Sequence, residues 1–190
     1  MFTKAKSNDA TAASMSCGGG ARNGAHGGGI FTIECRDAEG NLKWREEAHN
    51  LVVNEGLKDM NDKYFSGSGY TAAWYLGLIT GPGSGTTIAA GDTLASHTGW
   101  TEDTNYTGDR KAVTFGSATE ADPSVINNSS SPSSFSMNAT TTIAGAFLAS
   151  VDTGDSGVLF SASDFQSPGD RAVVNGDSLS VTYEFSLDAA

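Results

Sequence analysis

The chain has 190 residues and a formal net charge of −11, from 11 basic and 22 acidic side chains; that length suits one domain with a single core. The carboxylate excess opposes binding to nucleic acid, which needs clustered Lys and Arg to displace counterions. Apolar runs such as Ala73-Trp74-Tyr75-Leu76-Gly77-Leu78 fall far short of the roughly 18 consecutive apolar residues of a membrane span, so neither nucleic acid nor membrane is an expected partner.

In chain order, Met1 to Lys6 carries two lysines but leads into polar Ser7-Asn8-Asp9, not the apolar stretch of a secretory signal. Assembly in the cytoplasm of the producing cell is the corresponding expectation. Residues 1–29 are dominated by Ala, Ser and Gly, with Phe2 and Met15 as their large apolar side chains. Such a composition cannot build a core of its own. It reads as a flexible Gly-rich arm, either a disordered tail, the commoner outcome for such a composition, or, the favoured reading, a segment that orders by lying across neighbouring subunits, with Cys17, Arg22 and His26 as candidate interface residues. Cys17 and Cys35 are too few for a disulfide framework and show no zinc-ligand spacing, so both are expected as reduced thiols.

The globular domain is placed at residues 30–190. Phe31, Ile33 and Cys35 alternate with Thr32, Glu34 and Arg36, and Ala38-Glu39-Gly40-Asn41 offers a turn before Leu42-Lys43-Trp44-Arg45, which together predict a β-hairpin. Asn54 then predicts the cap of a helix. Its apolar positions Leu57, Met60 and Tyr64 share one face, and Ser66-Gly67-Ser68-Gly69 ends it.

From there strand-like runs alternate with turn residues: Trp74 to Ile79, Lys111 to Phe115, Phe135 to Asn138, Thr141 to Ala149 and Val158 to Ser161. In the last run Leu179, Val181, Tyr183, Phe185 and Leu187 point one way and the polar residues between them the other. The fold class is mainly β, an antiparallel, jelly-roll-like β-sandwich with one short helix and an extended Gly-rich N-terminal arm. Long polar connections, residues 80–106 and 118–134, are candidate contact loops. Trp100 stands there among small and polar residues, either plugging the end of the sandwich, the favoured reading, or anchoring an interface together with Tyr106.

Catalytic signatures fare poorly. Asp152-Thr153-Gly154 resembles the tripeptide of dimeric aspartic proteases, yet Asp155 follows where that signature has a small residue, and an added carboxylate would disturb a shared-proton pair. A strand-ending turn explains it better. Asp152, Asp155 and Asp164 lack the spacing of a calcium loop, and His26, His49 and His97 form no HxH or HExxH pattern. The arm has no phosphate-loop signature, no serine lies in a GxSxG turn, and the Asn-x-Ser/Thr sequons at Asn105, Asn128 and Asn138 carry no weight without a signal peptide. The expectation is a non-enzyme with no metal and no cofactor.

The run Asn50-Leu51-Val52-Val53-Asn54-Glu55-Gly56-Leu57, followed by Tyr70 to Leu78, resembles small structural proteins encoded among the head genes of tailed bacteriophages. Gly91 to Glu102, Ile143 to Leu148, Gly157 to Ala162 and Asn175 to Tyr183 are similar to stretches of the same group. The resemblance spans about residues 50–185 and leaves the arm outside. It implies a virion component, most simply a capsid decoration or cement protein. Its partners would be the major capsid protein or other virion proteins, and further copies of itself as a homo-oligomer. A tail, collar or head-fibre component is the first alternative. The second is a carbohydrate-binding module on the virion that stacks sugars on Trp74, Trp100 or Tyr106.

Overall fold

The computed structural model describes residues 25–70, 73–80, 86–165 and 169–189. The described chain is mainly β, with one helix and antiparallel pairing throughout. The longest ladder joins β1 (Ala25–Arg36) to β13 (Ser178–Ala189), in register from Ala25 opposite Ala189 to Arg36 opposite Ser178. Thus β1 starts at Ala25, so the last five residues assigned to the arm belong to the sheet. Three of them are glycine, and a glycine shows no side-chain alternation while its backbone still pairs.

The first hairpin forms as expected, with β2 (Leu42–His49) folding back on β1. Asp37 organises its turn: one carboxylate oxygen accepts the backbone N–H groups of Glu39 (3.1 Å) and Asn41 (2.8 Å), and Gly40 takes the left-handed conformation at φ 87°. On the other side of β13, β8 (Ser133–Ser136) pairs with one half and β7 (Ser124–Asn127) with the other. Between them the buried Asn128 side chain substitutes for a strand. Its Oδ1 accepts the Tyr183 N–H (2.7 Å) and its Nδ2 donates to the Val181 carbonyl (3.3 Å), which satisfies backbone groups that burial would otherwise leave unpaired.

The second sheet runs β3 (Leu51–Val52), β11 (Leu159–Asp164), β10 (Gly145–Ala149), β4 (Tyr75–Thr80) and β5 (Thr101–Asp103), with β6 (Lys111–Ala112) also on β4. A separate small ladder joins β9 (Thr141–Ile143) to β12 (Arg171–Val173). The two large sheets share one core: Phe31, Ile33, Cys35, Leu179, Val181 and Tyr183 meet Leu76, Leu78, Ala146, Leu148 and Phe160. The second sheet is also covered on its far face by Val53, Leu94 and Trp100, which pack with Ile79, Phe147 and Leu159. All five β10 residues are buried, because both of its faces are covered.

Trp100 is only 3 % exposed: its ring stacks on His97 at 3.6 Å, leans on Phe147 and donates its indole N–H to Asp92 (3.0 Å). Tyr106 is equally enclosed, edge-on to Phe135. Both residues nominated as interface aromatics therefore fill the domain. Trp100 plugs the outer layer of the second sheet, where it satisfies its one polar atom internally.

The helix, α1 (Asn54–Phe65), departs from the sequence expectation in two ways. Its N-cap is Val53, and Asn54 is the first helical residue. The Val53 N–H donates to the Phe160 carbonyl (3.1 Å) and the Asn54 N–H to that of Ala90 (2.8 Å), so neighbouring backbone does the work of a capping side chain. The helix also docks through Gly56, and of Leu57, Met60 and Tyr64 it is Met60 that packs against the core. A Cβ on Gly56 would lie 2.3 Å from the Phe160 carbonyl oxygen, a close approach open to glycine alone.

Candidate docking cleft

Seating the helix on Gly56 rotates its expected apolar face away from the core. Leu57 is 46 % and Tyr64 83 % exposed, and Met60 is half-buried. That face forms one wall of a cleft of about 710 Å³. The opposite wall is the end of the β1–β13 ladder, where the inward-facing positions beyond Phe31 and Tyr183 are Gly27, Phe185 and Leu187, with Ile126 of β7 in register with Phe185. Trp74, Phe115 and Tyr70 complete the lining, and Phe160 and Leu148 lie at its base.

Aromatic rings dominate the lining. Phe160 meets Phe185 edge-on at 5.3 Å and Trp74 at 5.4 Å, while Phe115 meets Tyr183 at 6.3 Å. Gly27 leaves room for this: a Cβ there would approach the Phe185 ring to 3.2 Å. Exposed Leu57, Tyr64, Phe65, Tyr70 and Leu187 all belong to the cleft. They leave Leu42, Leu51 and Val174 as the large apolar side chains exposed elsewhere among the described residues. Scattered apolar residues are ordinary on a surface, whereas a contiguous patch marks an interaction site. The polar members of the lining are Asp59, Asn61 and Lys63, and two of these pair with each other, Lys63 Nζ to Asp59 at 3.5 Å. The cleft therefore suits an apolar guest.

A second, polar cavity of about 310 Å³ lies beside His49, Asn50, Thr86, Ser163 and Asp164. Asn50 Oδ1 and Thr86 Oγ1 have no protein hydrogen-bond partner there. Leaving such atoms dry costs about 1–3 kcal/mol each, so water is the natural occupant. Burial, with Asp170 nearby, raises the Asp164 carboxyl above its usual range.

Ionisable groups elsewhere serve the fold. Burial and the neighbouring Asp177 push the Cys35 thiol up to about 12, so it is a buried, protonated side chain at neutral pH. Burial by itself would raise Asp177 too, but hydrogen bonds from Lys43 Nζ and the Val174 N–H outweigh it and hold the carboxyl below its usual range. Arg110 makes a two-pronged contact with Glu102 (2.8 and 2.7 Å), and Arg171 pairs with Glu46. Asp152-Thr153-Gly154 is an exposed turn with Gly154 at φ 70°. Among the described residues no group of three or more His, Cys, Asp and Glu is placed to hold a metal ion, and no helix is long and apolar enough to cross a membrane.

Of the nominated interface residues, His26 is exposed on β1, in register with Asp188 of β13, while Trp100 and Tyr106 are interior. Cys17 and Arg22 lie outside the described residues. The cleft residues were legible only as fragments: Tyr64-Phe65 and Tyr70 are bulky side chains flanking a Ser/Gly stretch, and Phe185 and Leu187 sit opposite glycines. Comparison of the chain with protein-family models, curated proteins and solved structures finds no match.

Proposed function

We propose that the protein is a structural subunit of a tailed-phage particle, a capsid decoration or cement protein that acts by docking and carries out no chemistry. The observation that carries this reading is the open apolar cleft between α1 and the end of the β1–β13 ladder, a surface that a neighbouring subunit would complete. The resemblance of residues 50–185 to phage head-gene products supports the phage setting. The charge of −11 supports a subunit that stays dispersed until a complementary surface captures it.

The energetics fit a repeated, additive contact. Fully burying one large apolar side chain contributes about 1.5–3 kcal/mol, and five such side chains are exposed at the cleft. Association costs an estimated ~4–15 kcal/mol, so one contact is modest. A lattice that presents many contacts at once strengthens it. A sugar-binding role has less support, because Trp100 and Tyr106 are buried and the cleft offers few polar groups to meet sugar hydroxyls.

The test is the stoichiometry of the purified particle, measured by mass spectrometry against the major capsid protein. Decoration predicts copies in the hundreds; about a dozen or fewer would move the protein to a collar, tail or head fibre, as closed-ring symmetry requires. Absence from the particle would refute the structural role.

A further inference from the structure

We propose that the cleft is the seat for the N-terminal arm of a second copy of this chain, with residues 1–16 as the inserted segment and the glycine-rich residues 17–24 as its tether. The proposal rests on the reading of the protein as an assembling subunit and names the segment that completes it.

Position is the first argument. Ala25 and Gly27, at the start of β1, themselves line the cleft, so 24 residues of chain precede its rim. Pairing of Ala25 with Ala189 carries β1 to the end of the sheet, so the arm joins the domain at the rim of the cleft. A glycine-rich tether spans about 5–6 Å times the square root of its length, roughly 14–17 Å for these eight residues, and about 26–29 Å at full extension, a reach that suits a domain packed directly alongside.

Chemistry is the second. Met1-Phe2 and Met15 are the large apolar residues of the arm, with small or polar residues between and after them, which is the pattern of separate anchors for an apolar slot. Charge agrees: residues 1–24 hold three of the basic residues and one of the acidic ones, so the arm is positive and the remainder is more acidic than the whole chain. Lys4 and Lys6 follow Phe2, and the carboxylate of Asp59 lies in the lining of the cleft. Complementary charge of this kind steers encounter and suppresses wrong partners.

The full chain tests this directly. With the photoreactive analogue benzoyl-phenylalanine replacing Phe2, illumination of an equal mixture of isotopically labelled and unlabelled chains should cross-link position 2 to α1 or to β13 near Phe185. Labelled-to-unlabelled pairs should be prominent among the products. Cross-links confined to the same chain, to sites outside the cleft, or absent altogether would overturn the proposal. In sedimentation, Phe2→Ser with Met15→Ser should weaken self-association at least tenfold. Tyr64→Ser should do likewise without changing the thermal midpoint, and unaltered association of both variants would equally count against the seat. Particle stoichiometry reads the structural role separately, so either idea can fail while the other stands.

Discussion

Replacing Gly56 with alanine sets two opposite effects against each other, and the structure decides the sign. In an exposed helix interior the change should stabilise by about 0.8–1 kcal/mol, since glycine is the poorer helix former. At Gly56, however, the new Cβ would sit 2.3 Å from the Phe160 carbonyl oxygen, 2.9 Å from its Cα and 3.0 Å from its carbonyl carbon. All three are backbone atoms of a central strand, so no side-chain rotation relieves the clash. The helix must lift by about 1 Å to reach ordinary contact, and overpacking of this kind costs roughly 1–3 kcal/mol. Lifting would also stretch two hydrogen bonds, from the Leu94 N–H (3.1 Å) and the Leu159 N–H (2.8 Å) to Glu55. Bonds to a charged acceptor are worth about 1.5–3 kcal/mol each. The expected net result is a loss of about 2–4 kcal/mol, measured by urea unfolding of Gly56→Ala. Asn61→Ala, on the exposed side of the same helix, serves as the propensity control and should gain a few tenths of a kcal/mol. A Gly56→Ala protein as stable as the parent would refute the account of how α1 is seated.

Three further outcomes follow from the interior. Trp100→Ala should cost about 3–5 kcal/mol in denaturant unfolding because it opens the layer over Phe147; a cost under about 1 kcal/mol would mean that this ring does not plug the sheet. In a Cys17→Ser background, Cys35 should resist a thiol reagent at pH 8 while the protein is folded and react promptly in urea, since its thiol is pushed up to about 12; equal rates in both states would contradict its burial. Asp177 is held below its unfolded value, so its contribution to stability is present above about pH 4 and is lost as pH falls through the lower, folded value. Lys43→Met should remove about 1–3 kcal/mol at pH 7 and flatten that acid limb, and an acid unfolding curve unchanged in shape would argue against the pair.

Much of the fold is legible in the residues because strands and hairpins announce themselves locally. Alternation from Phe31 to Arg36 and from Leu179 to Leu187 marks the two long strands, and Ala38-Glu39-Gly40-Asn41 marks the turn from the first of them into β2. Short strands were hidden: β7 and β5 lie inside stretches that read as polar connections, and β12 has too few residues to show a period. Pairing with a partner already in place stabilises such segments, and that partner is remote in sequence. The paired strand of Ala25 to Gly29 was concealed for a related reason, since glycine contributes backbone but no pattern.

Local chemistry thus determined the class of the domain, its central hairpin, the existence of one helix and the turn character of Asp152-Thr153-Gly154. Tertiary structure alone decided which way the helix faces and what lies beneath it. Leu57, Met60 and Tyr64 have the spacing of a core stripe, and helical periodicity cannot say whether a stripe meets a sheet or a void. The close approach of Gly56 to Phe160 settles that question, because a helix resting on a glycine sits too near the sheet on one side to lay its larger residues flat on it. The apolar cleft is the consequence: it exists between α1 and β13, elements far apart in the chain, and belongs to neither sequence by itself.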